Sequence, residues 1–287
     1  MDEVNELLKL LRGKPFQEFV PTNDAEQAQA ICYQAFDARG RRQVQLARQA
    51  LAIDPDCCDA LLLLAERDVD PKCSLPLLER AVQAGERQLG PKRFKKDAGH
   101  FWGILETRPY MRARRQLALA HHDLEQFDQA AGHFQELIRL NPNDNQGNRY
   151  DLAQCLLESN QLDELDELLN RSSYKDDSAA EWMFTKTLLD FRRSGDAPEV
   201  RKCLQEAQRR NPFVVPMLIG DKETPQVTPE YFTPGSEEEA AICVEQVVIG
   251  WEDTPGAIEW LEEIVETQKR RRQKERNKRN KQKKRRR

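Results

Sequence analysis

The sequence predicts an all-α fold of stacked two-helix repeats, and three observations carry that prediction. Small and large apolar residues recur with a period of 35 residues between positions 114 and 212. The dipeptide Asn-Pro recurs at 141–142 and 211–212, two periods apart. No segment keeps the apolar/polar alternation that a half-buried strand needs.

Taken in chain order, Val4, Leu7, Leu8 and Leu11 share one helical face, so residues 1–23 are expected to form an N-terminal capping helix. Ala47, Ala50 and Asp54-Pro55 fit the second helix of a unit opening near residue 24. Leu64-Ala65, Leu77, Ala81 and Ala84 fit another, opening near residue 58. Residues 86–108 break the period and read as a longer, non-repeating connection. The unit opening near residue 111 is the clearest, with Leu117-Ala118, Ala130, Phe134, Leu137 and then Asn141-Pro142. This is the pattern of a tetratricopeptide repeat, two antiparallel helices closed by a proline. One period on, Leu152-Ala153, Leu165 and Leu169 give a unit near 146. Two periods on, Leu188, Val200, Leu204, Ala207 and Asn211-Pro212 give a unit near 181. Residues 24–220 are therefore expected to form a tetratricopeptide-like helical-repeat solenoid. A two-helix unit cannot bury its apolar face alone, and stacking buries it against the neighbours. Alanines such as Ala118, Ala130 and Ala153 let helices approach closely, and proline stops each second helix.

Pro225, Pro229 and Pro234 mark residues 221–235 as an extended linker. Ser236-x-x-Glu239 is a capping box opening a helix towards Trp251, and Thr254-Pro255 opens the next. Residues 236–267 are expected to cap the solenoid, leaving 268–287 as a basic tail, disordered or helical.

Charge separates body from tail. The formal charge is −4, from 45 Lys+Arg and 49 Asp+Glu. Residues 269–287 hold 14 of the bases and one acid, Glu275, or +13, which leaves the first 268 residues at −17. The tail has no apolar residue, so it cannot offset its chain entropy by burial and builds no core. Lys269, Arg270, Arg271 and Arg272, with Lys283, Lys284, Arg285, Arg286 and Arg287, are its densest charge. Such a tail releases counterions on binding phosphates, which makes RNA or ribosome contact the alternative function. Without aromatics it has no base-stacking platform. An acidic membrane surface or the chain's own acidic body are other partners for it.

Several classes are excluded. No apolar run approaches the ~20 residues of a membrane span. The acidic start, Met1-Asp2-Glu3, is unlike a signal peptide. Seven scattered cysteines without a Cys-x-x-Cys pair suggest reduced thiols and a cytoplasmic location. Gly85-x-x-x-x-Gly90 misses a phosphate loop, because Pro91 separates Lys92 from the second glycine and a helix precedes it. His121, His133 and Cys155 could combine on a metal only if three elements converged, and packed or solvated imidazoles are the simpler reading. No cofactor, metal or enzymatic activity is expected.

A longer match concerns residues 100–262. Phe101-Trp102-Gly103 with Leu105-Glu106-Thr107-Arg108-Pro109-Tyr110-Met111-Arg112-Ala113-Arg114 resembles the suppressor of tumorigenicity seven family and its uncharacterised bacterial relatives. Asn141-Pro142-Asn143-Asp144-Asn145-Gln146-Gly147 with Arg149-Tyr150 resembles a further block. So do Ser178-Ala179-x-Glu181-Trp182, Gly235-Ser236-Glu237 and Thr254-Pro255-Gly256-Ala257-x-Glu259-Trp260-Leu261. The resemblance implies a helical-repeat fold and a partner-binding role, and it offers no catalytic residue to carry over. The eukaryotic members' membrane segments and some relatives' Cys/His metal module have no counterpart here.

The repeat register offers a candidate partner groove. Arg112 and Arg115 fall where tetratricopeptide side chains usually face the concave surface, and an arginine there can fork onto a carboxylate. Tyr150, Gln154, Trp182, Thr185 and Arg192 share that face in later units. The groove would take an acidic or C-terminal peptide segment of another protein. Alternatively the arginines pair internally, with Glu106 or other acids, and rigidify the connection. Thr107 is placed to cap the helix that Arg108-Pro109 opens.

Overall fold

The structure, a computed structural model, describes residues 20–67, 70–225, 227, 229 and 231–285. The expected N-terminal capping helix lies outside the described residues up to position 19. Every regular element among the described residues is helical, and no described residue is in a strand.

The chain forms two compact units, one ending at Ala120 and one starting at His121. In the first, α1 (Asp24–Asp37) pairs with α2 (Gly40–Ile53), and α3 (Cys58–Ala65) pairs with α4 (Pro71–Lys96). Ala28, Cys32 and Ala35 of α1 close on Leu46, Ala47 and Ala50 of α2, with Cys57, Ala60 and Leu63 completing this core. The unit boundary falls inside α5 (Arg108–Asp123).

The connection at 86–108 is itself helical. Helix α4 continues to Lys96, with a kink at Gly90 (φ 67°) and Pro91. Single 3-10 turns follow at Phe101–Gly103 and Leu105–Thr107. Phe94 packs on the buried Phe101 (5.2 Å between centroids) and edge-on to Tyr110 (5.0 Å). Arg108 donates through Nε to the Trp102 carbonyl (3.0 Å) and lies over the Trp102 ring. The motif-rich 101–110 stretch thus pins the connection to α4 and the start of α5. The Thr107 hydroxyl donates back to the carbonyls of Phe101 and Ile104.

The second unit contains α6 (Phe127–Leu140), α7 (Asn148–Glu158), α8 (Leu162–Leu169), α9 (Ala180–Ser194) and α10 (Pro198–Arg210). After Asn211-Pro212 a short helix, α11 (Val214–Leu218), intervenes where the sequence pattern marks no element. Then come α12 (Glu237–Glu252) and α13 (Ala257–Arg285). Helix α12 packs against α7, α9 and α11. Ser236 caps α12, its Oγ accepting from Glu239 N (3.3 Å). The reciprocal half of the expected capping box is missing. The buried Glu239 carboxylate instead accepts from Asn211 Nδ2 (3.1 Å), Ala180 N (3.3 Å) and Gly235 N, tying three segments together. Thr254-Pro255 sits in the turn before α13, with the Thr254 hydroxyl donating to the Gly250 carbonyl (2.6 Å).

The 35-residue period recurs in the backbone of this unit. Glu125, Asn160 and Gly195, one period apart, all have positive φ (57°, 57° and 58°). At α5 the Glu125 and Gln126 N–H groups return to the carbonyls of His122 and His121. At α7 those of Asn160 and Gln161 return to Leu157 and Leu156. This is the Schellman ending, which needs a left-handed residue just after the helix.

Gly250 decides how closely α12 approaches. A Cβ there would lie 2.6 Å from Leu157 Cδ2 and 3.3 Å from Leu188 Cδ2, both on fully buried side chains. Gly250→Val is therefore expected to cost about 1–3 kcal/mol by overpacking. Gly132, in α6, has open space around it. Gly132→Ala is expected to gain about 0.5–1 kcal/mol from helix propensity. Urea denaturation of the two variants checks this contrast, and equal shifts of one sign would disprove it.

Candidate functional site

The structure disperses the residues that the repeat register places on one face. In the first unit, Arg112 forks onto Asp59, with Nε 3.0 Å from Oδ1 and Nη2 on Oδ2. Asp59 has no exposed surface, and Gln29 Nε2 donates to its Oδ2 at 2.7 Å. The Arg112 guanidinium also lies over the Phe36 ring. Its carboxylate partner is thus supplied by the chain, the internal pairing that sequence allowed as the alternative. Arg115 is half-buried on the same helix. Glu106 pairs instead with Arg93 (3.5 Å).

In the second unit, Gln154, Thr185 and Trp182 are buried, so these three line the interior rather than an open groove. Gln154 Nε2 donates to Thr185 Oγ1 at 3.1 Å. Helix α12 packs on α7 and α9, with Gly250 against Leu157 and Leu188, while Tyr150 and Tyr174 pack on the Trp182 ring. Arg192 is also spent internally. Its Nε donates to Thr254 Oγ1 (2.8 Å), Nη1 to the Leu157 carbonyl (2.6 Å) and Nη2 to the Gly250 carbonyl (3.3 Å).

Tyr150 belongs to a bracket built from two of the motif-rich blocks. Asp144 caps α7, accepting from Asn148 N (2.7 Å) and Arg149 N (3.0 Å). Arg149 bridges Asp144 and Asp177 and stacks on the Tyr150 ring, 4.1 Å from its centroid. Tyr150 donates to Asp177 Oδ2 (2.8 Å), and the Tyr150 and Tyr174 rings both meet Trp182 edge-on. Burial alone would raise the Asp177 pKa. The Ala179 N–H, the Tyr150 hydroxyl and Arg149 together hold it below the ordinary carboxylate value.

Glu181, next to Trp182, is the opposite case. Burial, helped by Asp151, pushes its pKa up to about 8. Its Oε1 is buried without a hydrogen-bond partner among the described residues. The folded chain keeps this proton to higher pH than the unfolded chain, which releases it near pH ~4.3. The associated stability is complete below that value and is lost as pH rises through about 8. Glu181→Gln is expected to flatten this decline, giving a smaller drop in urea midpoint between about pH 5 and 8 than the wild type shows. Parallel declines would place the titration elsewhere.

A concavity of the second unit lies along its helix ends. A cleft of about 1120 Å³ is bounded by the α5–α6 turn, the α7–α8 turn, the end of α9 and the α12–α13 turn. Phe127, Leu162, Phe191, Ile249 and Pro255 give it an apolar floor. Asp123, Glu125, Glu158 and Asp253 supply carboxylates, against His122 and Arg192. His122 Nε2 lies 3.0 Å from Glu158 Oε2, and that carboxylate raises the imidazole pKa against the effect of burial. Ile249 is 53% exposed although it is a large aliphatic side chain. The backbone signal that would have pointed here is the Glu125–Asn160–Gly195 series, since all three residues line the cleft.

His121 stacks on His133 at 5.4 Å and bonds Gln126 through Nδ1 (2.7 Å). Among the described residues, no group of three His, Cys, Asp or Glu side chains is placed to hold a metal ion. All seven cysteines are unbridged. No helix among the described residues is long and apolar enough to cross a membrane. In the tail, Lys269 pairs with Asp221 and Arg270 with Glu266, each at 2.8 Å, while Arg271 and Arg272 are exposed. Lys283, Lys284 and Arg285 lie at the end of α13, and Arg286 and Arg287 fall outside the described residues.

Residues 121–182 match the family model described as Tetratricopeptide repeat. Among solved structures the chain is similar to YrrB, described as a TPR protein with an unusual peptide-binding site. The identity is 17% and the TM-score 0.46, over 65% of this chain and 84% of that one. None of the curated proteins compared with the chain matches it.

Proposed function

We propose that this chain is a non-catalytic protein-interaction scaffold whose second unit binds a segment of a partner polypeptide. The cleft carries the reading: an apolar floor with an exposed isoleucine, lined in part by helix ends of residues 121–182, which match the tetratricopeptide model, and in part by residues 191–255 beyond it. Its volume exceeds most small-molecule pockets, which run to roughly 1,000 Å³. The resemblance of residues 100–262 to the suppressor of tumorigenicity seven family points the same way. The cleft replaces the register-derived groove as the binding surface, because Arg112, Gln154, Trp182, Thr185 and Arg192 are engaged within the chain.

A photo-crosslinking residue placed at Ile249 tests this. In lysate it is expected to capture a polypeptide that the same residue at Lys202, exposed on α10 outside the cleft, does not. Equal capture from both positions would remove the cleft from the function. A second reading, RNA or ribosome contact through the basic tail, is favoured by the exposed Arg271 and Arg272 on α13. Its signature is binding that disappears on removal of residues 269–287 and weakens steeply with salt.

A further inference from the structure

We infer that the occupant of the cleft is a peptide that combines apolar side chains with lysine or arginine, not the acidic segment that an arginine-lined groove would take; this inference rests on the peptide-binding reading above. The sign of the cleft sets the choice. Four carboxylates face it against one arginine and one histidine. The arginine offers little to a ligand, because Nε, Nη1 and Nη2 of Arg192 already donate to Thr254, Leu157 and Gly250. His122 is held by Glu158. Asp123, Glu125 and Asp253 are exposed on the rim and have no ion-pair partner among the described residues. A cation on a bound peptide would answer them, and an anion would meet more like charge than unlike. Residues 121–268 of the same unit hold 31 acids against 12 bases, a field of the same sign that draws cationic partners to an acidic concavity.

The floor narrows the occupant further. Phe127, Leu162, Phe191 and Ile249 gain nothing from a purely charged ligand, since apolar burial is the term they supply. The chain's own tail therefore matches the rim but not the floor, because residues 269–287 contain no apolar side chain. Selectivity for a mixed peptide separates a specific partner from the generic attraction between an acidic body and any polycation.

The experiment is selection of random 12-residue display peptides on the full-length chain, with three chains selected in parallel. These are wild type, the rim reversal Asp123→Lys/Asp253→Lys, and the floor variant Ile249→Asp. All three substituted positions are exposed, so folding is expected to be retained, and circular dichroism checks it. Expected peptides from wild type carry two or more Lys/Arg interleaved with apolar residues. They should lose about tenfold or more in affinity on the rim reversal, and bind poorly to the floor variant. Cleft-dependent peptides that are acidic or uncharged would overturn this inference and leave the scaffold function standing. Lys/Arg-rich peptides without apolar residues, insensitive to Ile249→Asp, would show generic attraction and overturn it as well. Peptides insensitive to both variants would overturn the cleft as the binding surface altogether.

Discussion

Phe134→Ala is expected to lower the unfolding free energy by roughly 3–5 kcal/mol. The ring is completely buried on α6, among Ala130, Leu137 and Ile138 of the same helix, which are themselves buried. The cost combines the lost transfer free energy of the ring with the cavity it leaves, and a close-packed helix interface relaxes little to fill it. Repeat architecture adds a second signature. Each repeat leans on its neighbours, so weakening one interface weakens the array on both sides. The variant is expected to unfold at lower urea concentration, with earlier exchange of amides in α7 and α8, because α6 packs against α7. Phe134→Leu, which keeps most of the apolar contact, should recover more than half of the loss. A shift of less than about 1 kcal/mol for the alanine variant would mean that the ring is not an interface residue.

This prediction was available from sequence alone. A period of 35 residues with Ala130 and Phe134 at small and large positions leaves few alternatives to a two-helix repeat. The fold class was legible for the same reason, since the absence of strands follows from the absence of alternation. What sequence does not contain is the choice of covering element. The register puts Gln154 and Thr185 on the inner face of their helices, where an open array would expose them. Helix α12, distant in sequence, packs on α7 and α9, and the two side chains become a buried hydrogen-bonded pair. Gly250 was the available hint, as a glycine late in a helix from which an approaching neighbour excludes any Cβ. The cleft was hidden differently. It is made of helix ends, whose lining residues share no apolar face, and only the periodic positive-φ positions link them.

Asp59 shows the limit of reading charge from composition. It opens the run Asp59-Ala60-Leu61-Leu62-Leu63, where an acid in the first turn normally faces water and favours the helix N-terminus. Here it is fully buried, and Arg112 and Gln29 make that tolerable. Removing one partner is therefore worse than removing both. Arg112→Met is expected to cost about 3 kcal/mol, the lower part of the range for breaking a buried pair. The lower part applies because the arginine side chain is 34% exposed, so water partly screens the pair. The double variant Arg112→Met/Asp59→Leu removes the stranded charge along with its partner. It is expected to regain at least half of the loss, leaving Gln29 to turn its amide to solvent, because apolar replacement of an ion pair is often neutral or stabilising. Chemical denaturation of wild type, both single variants and the double variant closes the cycle. A coupling energy near zero would mean that Arg112 holds Asp59 only loosely, and that the buried carboxylate draws its stabilisation from elsewhere in the first unit.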